Sequence, residues 1–159
     1  MKKKSNKATT QRPKGERTID AALVTIDLFS SIEQITNEKV WKSGDRNAIT
    51  VFKANGLRIV LIALHKGAEM IKHKADGMIS LQVLKGKLEF KTDEQSIKLN
   101  EGQILALHDN IPHSVVAKKK SIFLLTLTTA AEETNTNYQS EVEVEQLELN
   151  GKLHINETV

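Results

Sequence analysis

The sequence predicts an all-β domain, an antiparallel sandwich or barrel, with helix confined to the region in front of the strands. Short runs rich in β-branched residues and leucine, such as "AITVF" and "SIFLLTLT", recur through the middle of the chain. Turn signals containing glycine, asparagine or clustered lysine separate these runs about every ten residues. Many short strands at regular spacing are typical of an antiparallel sandwich or barrel.

The predicted strands follow one another as hairpins or bent pairs. "AITVF" and "LRIVLIAL" flank the turn signal "KANG", and the second run is apolar on both alternating faces, which predicts a strand covered on both sides. "ISLQVLKGKLEFK" reads as two strands bent at Gly86, and "SIKLNEGQILAL" as two strands around a turn at 100–102. "HSVVAKKKSIFLLTLT" reads as two strands around a lysine-rich turn.

A short helix is predicted in front of the strands, over "SSIEQITNEKVW". Ser30 and Glu33 have the spacing of a capping box, and Ile32 and Ile35 lie on one face of the helix. Trp41 and the four phenylalanines are predicted to belong to the core. The sequence contains no cysteine, which excludes disulfides and thiolate metal sites.

Charge is concentrated at the two ends of the chain, which has a formal net charge of +3. Residues 1–17 are rich in lysine and arginine, and residues 132–159 are rich in glutamate. Two solvated tails explain this best, although a tail that contacts RNA or an acidic partner, or two tails that attract each other, stay open. No aromatic residues interleave the basic ones, so we expect no nucleic-acid partner. No apolar run reaches the roughly 20 residues of a membrane span, and no signal peptide is evident, which predicts a soluble cytoplasmic protein.

Glycines and histidines recur at fixed spacings in two stretches of the chain. The first stretch contains Gly67, His73, Ala75, Ile79 and Gly86, and the second contains Gly102, His108, Asn110, His113 and Ala117. These spacings match the cupin motifs G-x5-H-x-H-x3–4-E-x6-G and G-x5-P-x-G-x2-H-x3-N. The sequence therefore resembles the RmlC-like cupin superfamily over about residues 57–128, as a small single-domain cupin with degenerate metal-binding motifs.

The resemblance implies a cupin-type antiparallel jelly-roll barrel with a short N-terminal helix. The chain is predicted to divide into a disordered basic leader (1–17), an N-terminal segment with the short helix (18–40), the cupin jelly roll (41–130), and an acidic C-terminal tail or hairpin turning at Asn150–Gly151 (131–159). Small cupins commonly pair through sheet edges, so the resemblance also implies a homodimer.

The departures from the cupin motifs concern the metal ligands. In metal-binding cupins, both histidines and the glutamate of the first motif bind one ion together with the histidine of the second. The matching positions here are His73, Ala75, Ile79 and His113, and neither Ala75 nor Ile79 has a donor atom. Two imidazoles are fewer than the three protein ligands of catalytic zinc or non-haem iron sites. We therefore expect no cofactor, or at most a weakly held divalent transition metal on His73 and His113.

The leading hypothesis is a small cupin of unassigned activity that binds a small organic ligand in an apolar barrel pocket. The candidate ligand-binding residues are His73, His113, Ala75, Ile79, Leu81 and His108, and no catalytic residue is assigned. The two motif histidines are alternatively interior residues satisfied by backbone or water, and His108 is alternatively a surface loop residue. Arg58 either lies at a sheet edge beside a carboxylate, which we expect, or points into the pocket to bind an anion.

Three other functions stay open. One is a metal-dependent cupin enzyme of the dioxygenase or isomerase type that uses His73 and His113. Another is a metal-free isomerase with His113 as general base, since imidazole titrates near neutrality. The third is a regulatory or scaffolding protein that acts through its charged tails.

Overall fold

The computed structural model describes residues 3–7, 9, 12 and 17–128. The strands in this part of the chain are β1 (Lys4–Ser5), β2 (Thr18–Asp20), β3 (Arg46–Ala54), β4 (Leu57–Leu64), β5 (Glu69–His73), β6 (Ile79–Lys85), β7 (Lys87–Thr92), β8 (Ser96–Asn100), β9 (Ile104–Leu107), β10 (His113–Ala117) and β11 (Ser121–Thr128). The helices are α1 (Leu28–Asn37) and α2 (Lys39–Ser43). The predicted strands from residue 46 to 128 are confirmed, and β1, β2 and β5 are strands that the sequence did not predict.

The strands form two main antiparallel sheets and one small one. The five-stranded sheet has the order β3-β4-β11-β6-β9, the four-stranded sheet β5-β10-β7-β8, and β1 pairs with β2. Consecutive strands β6 and β7 belong to different sheets, and the chain crosses between them at Gly86, whose φ of 92° suits glycine. The antiparallel, jelly-roll-like arrangement with helices at the front confirms the predicted fold class.

The main core lies between the two sheets and draws on both. The two sides of β4 pack against different clusters, which explains why its sequence has no polar face. Val60, Ile62 and Leu64 belong to this core, while Leu61 and Ala63 point the other way, into a second cluster under the helices. Residues 60–64 are fully buried, which confirms that β4 is covered on both sides.

Helix α1 begins one turn earlier than the sequence predicts. Asp27 is its N-cap, and the carboxylate of Asp27 accepts a hydrogen bond from the backbone N–H of Ser30 at 3.1 Å. The predicted capping box at Ser30 and Glu33 is therefore wrong, because Ser30 lies inside the helix. The predicted apolar face is confirmed, since Ile35 is fully buried and Ile32 packs against the same cluster. None of the helices among the described residues is long and apolar enough to span a membrane.

The placement of the aromatic residues departs from the prediction clearly at Phe29, and Phe52 is only half-buried. Trp41, Phe90 and Phe123 are buried, whereas the side chain of Phe29 is 87% exposed. Phe29 is the second residue of α1 and lies on the solvent side of that helix. The prediction that all four phenylalanines belong to the core is therefore wrong for Phe29.

The basic leader contacts the domain through Arg12. Its guanidinium forms two hydrogen bonds with the Glu38 carboxylate, at 2.8 and 3.0 Å, and a third with the Ala48 carbonyl at 2.7 Å. The Asn47 amide donates to the same carboxylate. The sequence predicts a disordered leader over 1–17, but the leader residues that the structure describes include β1 and this ion pair. The predicted tail or hairpin at 131–159 lies outside the described residues.

Candidate functional site

One end of the domain, which we call the mouth, is formed by loops 74–78 and 108–112 and the strand ends that they join. The first loop leads from β5 to β6 and the second from β9 to β10, so both run from one sheet to the other. The backbone N–H of Asn110 donates to the Ala75 carbonyl at 2.8 Å, which ties the loops together. Gly77 packs so closely on Thr128 that a Cβ atom would lie 1.5 Å from the Thr128 carbonyl oxygen.

His73 and His113 meet at the mouth, on the face of the four-stranded sheet that carries the core. They lie opposite each other on β5 and β10, with ring centroids 4.4 Å apart and ring planes at 60°. The ring of Phe90 stacks on His113 at 5.2 Å. The two motif histidines that the sequence singles out are therefore brought together.

Each of the two rings is oriented by its own backbone. Nδ1 of His73 lies 2.7 Å from the Ile71 carbonyl oxygen, and Nδ1 of His113 lies 2.8 Å from the Ile111 carbonyl oxygen. A carbonyl oxygen can only accept, so Nδ1 is the protonated nitrogen in both rings. In the neutral rings Nε2 is then left as a lone-pair acceptor.

The two histidines differ in their exposure to water. His113 is 4% exposed, whereas His73 is half-buried. The pKa of His113 is lowered to about 4, mainly by burial; the hydrogen bond to Ile111 opposes this shift, and the nearby His73 adds to it. Burial dominates because a charged imidazolium loses its hydration inside the protein. At neutral pH, His113 is therefore an uncharged acceptor.

The described part of the chain also contains a cavity of about 580 Å³ away from the mouth. Residues 17–31 and Val51 contribute to its lining, and Val51 belongs to the cluster under the helices. It contains neither imidazole. We place the candidate site at the mouth because the oriented ring nitrogens converge there.

Comparison with known proteins identifies the fold. No model of a protein family and no curated protein matches the sequence. A cupin superfamily protein from Desulfitobacterium hafniense matches with a TM-score of 0.52 and 16% identity over 54% of this chain and 78% of its own. An RmlC-like cupin from Shewanella frigidimarina matches with a TM-score of 0.52 and 22% identity over 58% and 84%. The described domain has the cupin fold.

A third similar structure covers more of this cupin-fold chain than these two. It is a conserved protein of unknown function from Streptococcus pyogenes, with a TM-score of 0.57 and 24% identity over 72% of this chain and 93% of its own. At these identities the similarity shows the fold alone. The chemistry of the site has to come from its own residues.

The remaining predicted site residues differ in their burial and in their contact with the core. Ile79 and Leu81 are buried, at 4% and 1% exposure, and Ala75 packs against the same core. Gln82 faces away from this core, as the strand alternation predicts. His108 is exposed at the start of loop 108–112, and no described hydrogen bond or ring contact joins it to the pair.

The donor atoms present do not fit a tightly bound metal in this cupin-fold domain. The matching ligand positions contribute the imidazoles of His73 and His113 and the hydrocarbon side chains of Ala75 and Ile79. Within residues 3–7, 9, 12 and 17–128, no group of three or more histidine, aspartate or glutamate side chains is close enough to hold an ion. Two neutral nitrogens with no carboxylate leave the charge of a divalent cation uncompensated at a buried site.

Arg58 is a functional candidate whose observed position differs from the one predicted from the sequence. Strand β4 lies between β3 and β11, so the expected sheet-edge position is wrong. Arg58 lies directly opposite Leu127, which packs against the core between the sheets, and Arg58 itself is 8% exposed. Directly opposite residues of an antiparallel pair share a face. Arg58 is therefore on the inner face at the mouth.

Proposed function

We propose that this cupin-fold domain binds a small organic ligand at the mouth, between its two sheets, without a tightly bound metal. The observation that carries the proposal is the pair formed by His73 and His113, each with Nδ1 held by a backbone carbonyl. The two remaining Nε2 atoms belong to rings whose centroids are 4.4 Å apart. In this proposal a single small molecule contacts both.

The chemistry of the pair restricts the ligand. Because Nδ1 donates to the backbone, Nε2 of a neutral ring accepts, so the ligand has to supply a hydroxyl or N–H donor. Phe90 stacks on His113 and belongs to the apolar core between the sheets, together with Ile79 and Leu127. A few polar groups in an apolar setting are typical of small-molecule sites.

A second candidate function is a metal-dependent cupin enzyme of the dioxygenase or isomerase type. The specific observation in its favour is again the orientation of His73 and His113, because metal-binding histidines usually donate their other ring N–H to a carbonyl or carboxylate. The donor count opposes this candidate, since two imidazoles do not fix the geometry that metal catalysis requires. We infer at most weak binding of a divalent transition metal.

Elemental analysis separates the two candidates. The full chain, purified without a histidine tag, is expected to contain less than about a tenth of an equivalent of transition metal, because only two ligands are available. Stoichiometric iron, nickel or zinc that disappears in His73→Ala would favour the enzyme. The matched control is His65→Ala, since His65 stacks on Trp41 at 3.6 Å, away from the pair.

Ligand binding is tested through the ring nitrogens themselves. Chains labelled with ¹⁵N-histidine are titrated with propane-1,2-diol, a neutral molecule with two hydroxyl donors. We expect the Nε2 resonances of His73 and His113 to move together, because both accept from the probe. The Nε2 of His65 should not move, since it already lies 3.0 Å from the Trp41 carbonyl oxygen. No change at either site residue would contradict the proposal.

The homodimer implied by the cupin resemblance stays a prediction. Among the described strands, β3 and β9 are the outer strands of the larger sheet, and β5 and β8 those of the smaller one; the Ala48 and Thr50 carbonyls of β3 accept hydrogen bonds from Arg12 and Arg17. Edge strands present unpaired backbone groups that a second copy can cover. The molar mass of the full chain in solution, measured by light scattering, decides between one and two copies.

A further inference from the structure

Five side chains form a row across the inner face of the larger sheet at the mouth. The residues lie opposite one another on adjacent strands, and we call them the mouth row: Lys53, Arg58, Leu127, Ile79 and Leu107. Opposite residues share a face. Since Leu127, Ile79 and Leu107 contact the core between the sheets, Lys53 and Arg58 point to the same side.

A β-bulge puts Lys53 into this row. Strand β3 pairs Thr50 with Val60 and Phe52 with Ile59, so one extra residue, Val51, is inserted. Val51 packs in the cluster under the helices, on the outer face, and without the bulge Lys53 would point to that face as well. Bulges of this kind often re-aim a side chain beside a functional site.

The two sheets therefore bring different polar groups to the mouth. The smaller sheet brings the uncharged acceptor His113 and its neighbour His73, and the larger sheet brings the cations Lys53 and Arg58. A guanidinium has five N–H donors in a planar fork, and a bidentate carboxylate uses two of them. Arg58 can thus bind a ligand carboxylate in addition to other acceptors.

We propose that the ligand of this site is a small hydroxy acid. Its carboxylate is bound by Arg58, with Lys53 adding positive charge, and its hydroxyl donates to Nε2 of His113 or His73. This inference rests on the proposed function, and it adds the chemical class of the ligand. The pairing is complementary, because the acid supplies a carboxylate that matches the guanidinium fork and the hydroxyl donor that the imidazoles lack.

Three probes of the same carbon skeleton test this proposal on the full wild-type chain. Lactate has the carboxylate and the hydroxyl, propanoate has only the carboxylate, and propane-1,2-diol has only hydroxyls. We expect lactate to bind at least about tenfold more tightly than either fragment, because charge-assisted hydrogen bonds are the strong ones. The readouts are the ¹⁵N resonances of the histidine rings and of the arginine side chains.

Variants test whether the tighter binding of lactate depends on the mouth row. Arg58→Gln should weaken lactate about tenfold while leaving propane-1,2-diol unchanged, and Lys53→Gln should weaken lactate by a smaller factor. Lys42→Gln is the matched control, since it removes the same charge from an exposed position on α2 and should change nothing. Thermal melting checks the fold. If Arg58→Gln does not fold, Lys53→Gln and the wild-type probe series decide.

The outcomes separate this inference from the proposed function. If propane-1,2-diol moves both imidazoles while lactate binds no more tightly and Arg58→Gln has no effect, the hydroxy acid is wrong and the ligand site stands. If no probe moves either imidazole, both proposals fail. Tighter binding of lactate that Lys42→Gln weakens as much as Lys53→Gln would also overturn the inference, because general surface charge would then explain it.

Discussion

His73 and His113 are cross-strand neighbours whose rings are held by the same local device. In each case Nδ1 lies within 2.8 Å of the carbonyl oxygen two residues earlier in the chain. The ring orientation is therefore set within three residues of the chain in each case, and the pairing of β5 with β10 brings the two rings together. This leaves both Nε2 atoms available to a third group.

The burial of His113 predicts a pH-dependent stability. Its pKa is lowered from 6.5 to about 4 in the folded chain, so the unfolded chain binds more protons between these values. The free energy of unfolding should therefore fall as the pH decreases through this window, by up to about 1.4 kcal/mol for each pH unit. Urea unfolding of the wild type and of His113→Asn at several pH values measures the slope. Equal slopes in the two proteins would contradict the prediction.

Much of the fold could be predicted from the sequence because strand alternation and turn residues are local signals. The two motif histidines also lie side by side, because the spacing of the motifs follows the strands; that they form a ligand site stays a prediction. The direction of a side chain could not be predicted from the sequence at two β-bulges. In β5, Met70 and His73 both face the core because of a bulge. Strict alternation from Met70 would instead place Lys72 on the core side. In β3, the bulge at Val51 turns Lys53 inward in the same way.

Neither bulge contains a glycine or another residue type from which a bulge could be predicted. Bulges are set by pairing with the neighbouring strand, and partner strands are distant in sequence. For the same reason the apolar pattern of β4 predicts cover on both faces but not its two neighbouring strands, and Arg58 is therefore predicted at a sheet edge. The cap of α1 was misplaced for a different reason: Asp27 and Ser30 are both good N-cap residues, and only the structure shows which side chain accepts.

Two glycines of the cupin motifs should respond differently to alanine. Gly86 and Gly102 both have positive φ, at 92° and 83°, so an alanine is strained at each. A Cβ at Gly86 would lie 2.3 Å from the Lys120 carbonyl oxygen, whereas at Gly102 it meets nothing within 4 Å. We expect Gly102→Ala to cost about 1 kcal/mol of unfolding free energy and Gly86→Ala at least about 2 kcal/mol. Urea unfolding measures both, and equal losses would contradict the role of the close contact.

Alanine variants of Asp27 and Ser30 show which of the two residues caps α1. Asp27→Ala removes the acceptor for the backbone N–H of Ser30 and should lower the melting temperature of the chain. Ser30→Ala keeps that acceptor and the same backbone N–H, so its melting temperature should fall less. Thermal melts of the two variants decide the cap. A larger fall for Ser30→Ala would restore the capping box that the sequence predicts.

The ion pair between Arg12 and Glu38 tests whether the leader contributes to stability. Both side chains are 12% exposed, and Arg12→Ala leaves a largely buried carboxylate with fewer donors. We expect a loss of about 2 kcal/mol in the free energy of unfolding at neutral pH, the usual size for hydrogen bonds to a charged group. Lys7→Ala is the control, because it removes a leader charge from an exposed position and should change stability by less than about 0.5 kcal/mol.

The pH dependence of this loss identifies its cause. Burial raises the pKa of Glu38, but hydrogen bonds from Arg12 and Asn47 and the charge of Arg12 outweigh it, so the pKa lies below 4.5. A lowered carboxyl pKa stabilises the fold above the ordinary value, and this contribution is lost as the pH falls through the folded value. The difference between wild type and Arg12→Ala should therefore shrink in acid. If Arg12→Ala and Lys7→Ala match the wild type at every pH, the leader is disordered in solution, as the sequence predicts.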